Sequence, residues 1–275
     1  MKSLNSVILF GVWMALVLHT TSAPAQADST AIRRVFLPVV GRDACAYAPS
    51  QTYHNAMIDS RDTYYKDNRL TDNNPDFRLQ VLGYAKTNVA LQLVDYSTPG
   101  PDPDAPKFTG IFEPERVPVF KAAYERYDWK WNEAAPPPYG SRLGLNKDFA
   151  AAVLDLATTP GETLSIPRRG TVVWDQNVVA MVLFADERNV VLTYTRQDTV
   201  SSGYTVYMSN FCVEPGLVSA YRAVIDANGR RTARQFPAVR NSQPIGKALG
   251  GSVTVAIRDT AQFMDPRSRR DWWAN

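Results

Sequence analysis

Five short β-branched runs dominate the second half of the chain: TVVW, VVAMVLF, NVVLTYT, GYTVYM and SVTVAIR, each set off from the next by turn residues. Short strands at regular spacing build a sandwich or a barrel-like sheet. The expected fold is therefore mainly β. Residues 141–275 are read as an antiparallel β-sandwich or barrel-like domain around Val172, Val182, Leu192, Val206, Val255 and Ile257. These positions sit in runs too apolar to be solvated on both faces.

The first half is punctuated differently. Residues 28–42 carry one apolar block, Val35 to Val40, broken by Pro38, which reads as a tether or an edge strand. Residues 43–76 are polar and rich in tyrosine. Asp72-Asn73-Asn74-Pro75-Asp76 lacks the regular Asp-x-Asp-x-Asp-Gly spacing of a calcium loop and reads as a plain turn. Phe77 to Leu82 and Val89 to Tyr96 look like two short strands, the first with Phe77, Leu79 and Val81 alternating with Arg78 and Gln80. Val119 to Trp131 is predicted as a helix opened by Pro118, and Pro136-Pro137-Pro138 as a linker. Residues 43–140 thus form a smaller, irregular α+β region of unknown type ahead of the β domain.

The extreme amino end says where the chain works. Lys2 is followed by the apolar run VILFGVWMALVL at residues 7–18, then a small, polar stretch ending Ala25-Gln26-Ala27. That is the layout of a secretory signal peptide covering residues 1–27, with cleavage before Asp28. The run falls short of the roughly 20 apolar residues that span a bilayer, and no later stretch approaches that length. The expected product is exported, without a membrane span, and located outside the cell or at its envelope. A formal net charge of +3 argues against bulk nucleic-acid binding. The two cysteines, Cys45 and Cys212, suggest one disulfide in an oxidising compartment; two separate buried thiols are the alternative.

The catalytic inventory is thin. Of two histidines, only His54 lies beyond the signal peptide, whereas a catalytic zinc usually takes three protein ligands with several imidazoles among them. The chain has no Gly-x-Ser-x-Gly elbow, no phosphate loop and no dinucleotide fingerprint. Paired carboxylates for glycoside hydrolysis need not be neighbours in sequence, so a hydrolase of another class stays open. No cofactor is expected.

One resemblance stands out. Asp155-Leu156-Ala157-Thr158-Thr159-Pro160-Gly161 is followed by Leu164, Ile166 and Gly170-Thr171-Val172-Val173. Then come Gly203-Tyr204-Thr205-Val206-Tyr207, Ser242-Gln243-Pro244-Ile245-Gly246-Lys247, Ala256-Ile257-Arg258 and Asp265-Pro266. In order and spacing these pieces resemble a degenerate lysostaphin/LytM-type zinc metalloendopeptidase domain, the duplicated hybrid motif family that cleaves peptidoglycan. The resemblance covers residues 150–270 only. It implies that the family's zinc and catalytic positions fall at Ala151, Asp155, Ser209, Ser252 and Thr254. Of these only Asp155 retains a ligand-bearing side chain. Without closed chelation zinc is not held, and without zinc no water is acidified. The resemblance therefore implies a non-catalytic relative with a binding or regulatory role at the cell envelope, its partner peptidoglycan, another wall glycan or an envelope protein.

A second reading rests on aromatic residues. Phe112, Phe120, Tyr124, Tyr127, Trp129, Trp131 and Tyr139 crowd one stretch, and Trp129, Trp131 and Tyr139 are candidates for stacking on sugar rings, if they do not instead fill a core. The closing segment, Arg267 to Trp273, reads either as a cationic patch for anionic wall polymers or as a docked terminus with solvated arginines.

Overall fold

A computed structural model of the chain describes residues 45–59, 69–96, 102–231 and 234–274. The signal-peptide and tether readings, residues 1–27 and 28–42, lie outside the described residues. Fourteen strands and two short α-helices are described. In chain order they are β1 His54–Met57, α1 Leu79–Leu82, β2 Tyr84–Lys86, β3 Phe120–Trp131, β4 Gly140–Leu145, β5 Val153–Ala157, β6 Thr163–Leu164, β7 Val178–Ala185, β8 Asn189–Thr193, β9 Tyr204–Ser209, β10 Phe211–Val213, α2 Pro215–Arg222, β11 Gln235–Arg240, β12 Gly246–Ala248, β13 Ser252–Asp259 and β14 Gln262–Phe263. The fold is mainly β, and its sheets are antiparallel.

Eleven strands form one sheet in the order β1-β11-β7-β8-β9-β13-β5-β3-β2, with β14 added to β13 and β4 to β3. A small second sheet has the order β10-β12-β6. The central strands β7, β8 and β9 are buried along their whole length, as expected for runs apolar on both faces. Both faces are indeed covered. On one, α2 packs against β7 and β11, with Tyr221 edge-on to Phe184. On the other, Phe108, Phe120, Trp272 and Trp273 form an aromatic layer, and Tyr204 meets Trp272 edge-on.

Val182, Leu192, Val206, Val255 and Ile257 are buried, as the sequence suggests. Val172 is not; it is 50% exposed. The run TVVW only leads into a tight hairpin. Trp174 bridges to Val178, and Gln176 and Asn177 take the left-handed conformation between them. Three other expectations also change. Val119 to Trp131 is not a helix but the long strand β3, in which Tyr127, Trp129 and Trp131 follow a period of two. Phe77 to Leu82 yields the single turn α1, whose buried Leu79 and Leu82 stand three residues apart on one side. Val89 to Tyr96 is no strand; only Val94 forms a bridge, parallel to Ser268.

β1, β2 and β3 from the first region hydrogen-bond into the sheet built by the second. The described residues from 45 onward belong to one compact unit. Two links tie the start of that unit to its later half. Cys45 and Cys212 form a disulfide across a sequence separation of 167. The Glu214 carboxylate, 1% exposed, accepts hydrogen bonds from the backbone N–H groups of Ser50 and Gln51 and also caps α2 through Leu217 N–H. Among the described residues, no helix is long and apolar enough to cross a membrane.

Removing the disulfide by Cys45→Ala with Cys212→Ala is expected to lower the unfolding free energy by about 4–5 kcal/mol, the chain-entropy value for so long a loop. Urea unfolding checks this, and an unchanged midpoint would show that the clasp adds nothing. The tyrosines set an alkaline limit. Burial, then the Glu214 charge, pushes Tyr47 up to about 12. Burial, then the hydrogen bond to Asp265, pushes Tyr96 up to about 12. Folded values above the ordinary 10.0 mean that this stability is whole below pH 10 and lost as pH rises from 10 to about 12. An absorbance titration should show part of the 13 tyrosines ionising only together with unfolding; a single class titrating near 10 on the intact fold would contradict it.

Candidate functional site

Antiparallel register places directly paired residues side by side on one face. β13 pairs Thr254 with Asp155 of β5 on one side and with Ser209 of β9 on the other. β8 then pairs Asn189 with Ser209. Asp155, Thr254, Ser209 and Asn189 therefore form a polar row across four strands. Ser252 lies two residues along β13 on the same face, opposite Ala157. Ala151 is fully buried just ahead of β5. Asp155, Thr254, Ser209 and Ser252 thus lie near one another on the sheet, while Ala151 precedes β5.

Asp155 and Thr254 are bonded to each other there. The Asp155 carboxylate accepts a hydrogen bond from the Thr254 hydroxyl at 2.6 Å and another from the Tyr124 hydroxyl at 2.7 Å. Burial, then this bond to Asp155, raises the Tyr124 phenol well above its ordinary range. The five positions offer one carboxylate, already engaged by two hydroxyls, and no imidazole, so they do not fit a zinc ion. Among the described residues, no three His, Cys, Asp or Glu side chains gather in a group able to hold a metal.

The same face carries a cavity farther along β13. Arg258 lies four residues beyond Thr254, about 13–14 Å along the strand. The cavity, about 290 Å³, lies between the β3–β4 hairpin, the segment from Pro75 to Leu82, the turn at Val200–Ser201, and β13–β14. Arg126, Asp128, Trp129, Trp131, Asp76 and Arg258 line it. Arg258 is 6% exposed and donates to Asp76 at 2.9 Å. Arg126 donates to Asp128 at 2.7 Å. Both guanidiniums lie against the Phe263 ring, their carbons 4.2 and 5.0 Å from its centroid. Trp129 and Trp131 stand edge to face with centroids 6.3 Å apart. Trp131 is 37% exposed, with the Arg69 guanidinium over one face of its ring.

Three buried donors on its lining residues are unmet. The Nε of Arg126, the Nε of Arg258 and the Nε1 of Trp129 are buried and have no hydrogen-bond partner. The hairpin is built to hold Trp129 in this position. A Cβ on Gly140 would lie 2.1 Å from the Lys130 carbonyl and 2.8 Å from Trp129 Nε1, and its φ of +145° favours glycine. Tyr139, the third stacking candidate, is not among the lining residues. Its hydroxyl accepts from the Leu70 N–H at 3.0 Å and pins that segment to the hairpin.

A second cavity, about 270 Å³, is lined by Tyr96, Phe149, Tyr204 and Trp272 together with four aspartates. Its polar groups are already paired. Asp102 accepts from Tyr204, Asp259 from Thr260, Asp271 from Ser268, and Asp265 from Tyr96 and Arg267. The carboxyl terminus is docked rather than displayed. Trp272 and Trp273 are buried and donate to the Asp265 and Pro266 carbonyls. Arg267 pairs with Asp265, and Arg269 with Asp95, which removes the free cationic patch considered above.

No protein-family model matches the chain, and no curated protein matches it either. The site must be judged on its own chemistry. Sequence reasoning found Trp129 and Trp131 but missed Arg126, Arg258, Asp76 and Asp128. One signal was present: Arg258 is a charged side chain closing the apolar run SVTVAIR.

Thr254→Val keeps the shape of the side chain and removes the hydroxyl that serves Asp155. It is expected to cost about 1–3 kcal/mol by stranding a carboxylate oxygen, while Thr254→Ser should recover most of that. Thermal denaturation of the two variants checks the claim, and a Val variant as stable as the parent would contradict it.

Proposed function

We propose that this chain is an exported, non-catalytic binding protein of the cell envelope that seats a wall glycan in the cavity between the β3–β4 hairpin and β13–β14. The observation that carries the reading is the pair of indoles at that cavity. An indole offers an apolar face and a polar edge, which suits a sugar ring. The cavity volume of about 290 Å³ sits at the lower end of small-ligand sites, roughly 300–1,000 Å³. That suits one ring of a longer polymer passing over the mouth.

The non-catalytic part rests on the resemblance to the lysostaphin/LytM family together with the chemistry of Ala151, Asp155, Ser209, Ser252 and Thr254. Ser209 offers no replacement for a catalytic histidine, because a hydroxyl does not titrate near neutral pH. The export part rests on the signal-peptide pattern, and the Cys45–Cys212 bridge is compatible with it.

The decisive variant is Trp131→Ala. Its side chain is partly exposed, so the fold should keep its melting temperature. Sedimentation with purified cell-wall material should weaken about tenfold, a loss of about 1.4 kcal/mol. Equal retention of the parent and the variant would reject the indole-lined cavity as the binding site. A turbidity assay on peptidoglycan with added zinc runs beside it, and wall cleavage that a chelator abolishes would overturn the non-catalytic reading.

A further inference from the structure

We infer that Asn228 is a site of spontaneous chemical modification: its side chain closes on the Gly229 nitrogen to a succinimide, water opens the ring to aspartate and isoaspartate, and the product loosens the segment held at Thr71. The inference does not depend on the glycan-binding reading.

The turn between α2 and β11 reads Asp226-Ala227-Asn228-Gly229-Arg230. Asn228 is the one asparagine of the chain that glycine follows. Ring closure needs the next backbone nitrogen to reach the side-chain carbonyl carbon. Glycine puts no Cβ in the way and lets the backbone rotate into that position. The structure separates Asn228 from the other asparagines. Asn74 and Asn189 are buried. The amides of Asn146, Asn189, Asn210 and Asn241 donate to Asp128, Asp186, the Ser252 carbonyl and the Arg169 carbonyl. Asn55, Asn73, Asn88 and Asn177 are exposed, but each is followed by a residue that carries a Cβ. Asn228 is exposed, and its side chain makes no hydrogen bond among the described residues. Nothing holds its amide away from Gly229.

The reaction balances with water as its one co-reactant. The Gly229 nitrogen attacks Asn228 Cγ, the Cγ–Nδ2 bond breaks, and ammonia leaves with the proton that the Gly229 nitrogen gives up. Water then adds to one of the two ring carbonyls. Opening at Cγ leaves aspartate. Opening at the main-chain carbonyl leaves the backbone running through Cγ, which is isoaspartate. The attacking nitrogen must be free and deprotonated, yet the Gly229 N–H donates to the Asp226 carbonyl at 3.0 Å. The turn therefore opens before it reacts, and an exposed turn tip belongs to the least stable part of a fold. Conversion is slower in the folded chain than in the unfolded one, and it quickens as pH rises.

The product disturbs its neighbours. The Gly229 carbonyl accepts from the Thr71 N–H at 3.1 Å and from the Thr71 hydroxyl at 3.3 Å. Thr71, buried, opens the 3-10 turn Thr71–Asn73, and the chain runs on to Pro75 and Asp76 at the hairpin cavity. The Asp226 carboxylate accepts from the N–H groups of Asn228 and Arg230, both at 2.9 Å. Isoaspartate adds a methylene to the backbone inside this turn and a second carboxylate beside Asp226. Both changes pull the Gly229 carbonyl away from Thr71.

The test incubates the folded full chain, with a urea-unfolded control, in mildly alkaline buffer over weeks. Peptide mapping with fragmentation that distinguishes isoaspartate should find isoaspartate and aspartate at position 228 of the folded chain ahead of any other asparagine. Asn228→Gln should stay unmodified, since its longer side chain closes a ring far more slowly. In the converted protein the Thr71 amide should exchange with solvent at least about tenfold faster than in fresh protein. An intact Asn228 in the folded chain, at a time when the control has converted, would overturn the inference. Earlier conversion of another asparagine would overturn the choice of site. Aspartate without isoaspartate would overturn the succinimide route. Unchanged Thr71 exchange in converted protein would overturn the coupling to that segment.

Discussion

The structure depends on the register of β13. This strand pairs with β5 along one edge and with β9 along the other, so it joins the half of the sheet that ends in β1 to the half that ends in β2. Its side chains alternate strictly. Val253, Val255 and Ile257 enter the apolar layer, while Thr254 and Arg258 face the opposite side, where Asp155 and Asp76 receive them. A shift of one residue would exchange these sets and bury Arg258 among the valines. The polar row and the hairpin cavity are therefore not independent features. Both are held in place by the one pairing that also holds the sheet together.

Strand content in the second half was legible because a run such as VVAMVLF has no other stable use. Its residues are buried on both faces of a central strand, and local composition and tertiary context agree. β3 was not legible. FKAAYERYDWKW has lysine, alanine and glutamate in helix-compatible positions, and Pro118 suits a helix start as well as a strand start. What decides the matter is the partner strand β5, some 30 residues later, which takes Phe120, Ala122, Ala123 and Tyr124 into register. Leu79 and Leu82 misled in the opposite direction. The run is too short for periodicity to separate one helical turn from a short strand.

The cavity was half visible. The tryptophans stand close in sequence and drew attention as a pair. The arginines and aspartates come from segments near residues 76, 126 and 258, which meet only once β2, β3 and β13 share a sheet. Nothing in their local sequence distinguishes Arg126 from the many arginines of an ordinary surface. The positions singled out by family resemblance are the converse case. Asp155, Thr254 and Ser209 lie side by side across β5, β13 and β9. The Asp155 carboxylate accepts from two hydroxyls.

The bond between Cys45 and Cys212, together with the Glu214 clasp beside it, changes what a single cut in the chain can do. A protease that cuts the backbone anywhere between those two cysteines leaves both fragments covalently attached. For a cut that falls after β1, the fragments also remain paired through β1 and β11. Single nicks are thus silent: the chain is shortened on paper and intact in space. Fragments part only when the bridge is reduced or a second cut frees a segment, so the tolerance of the fold to a single cut depends on the redox state of its surroundings.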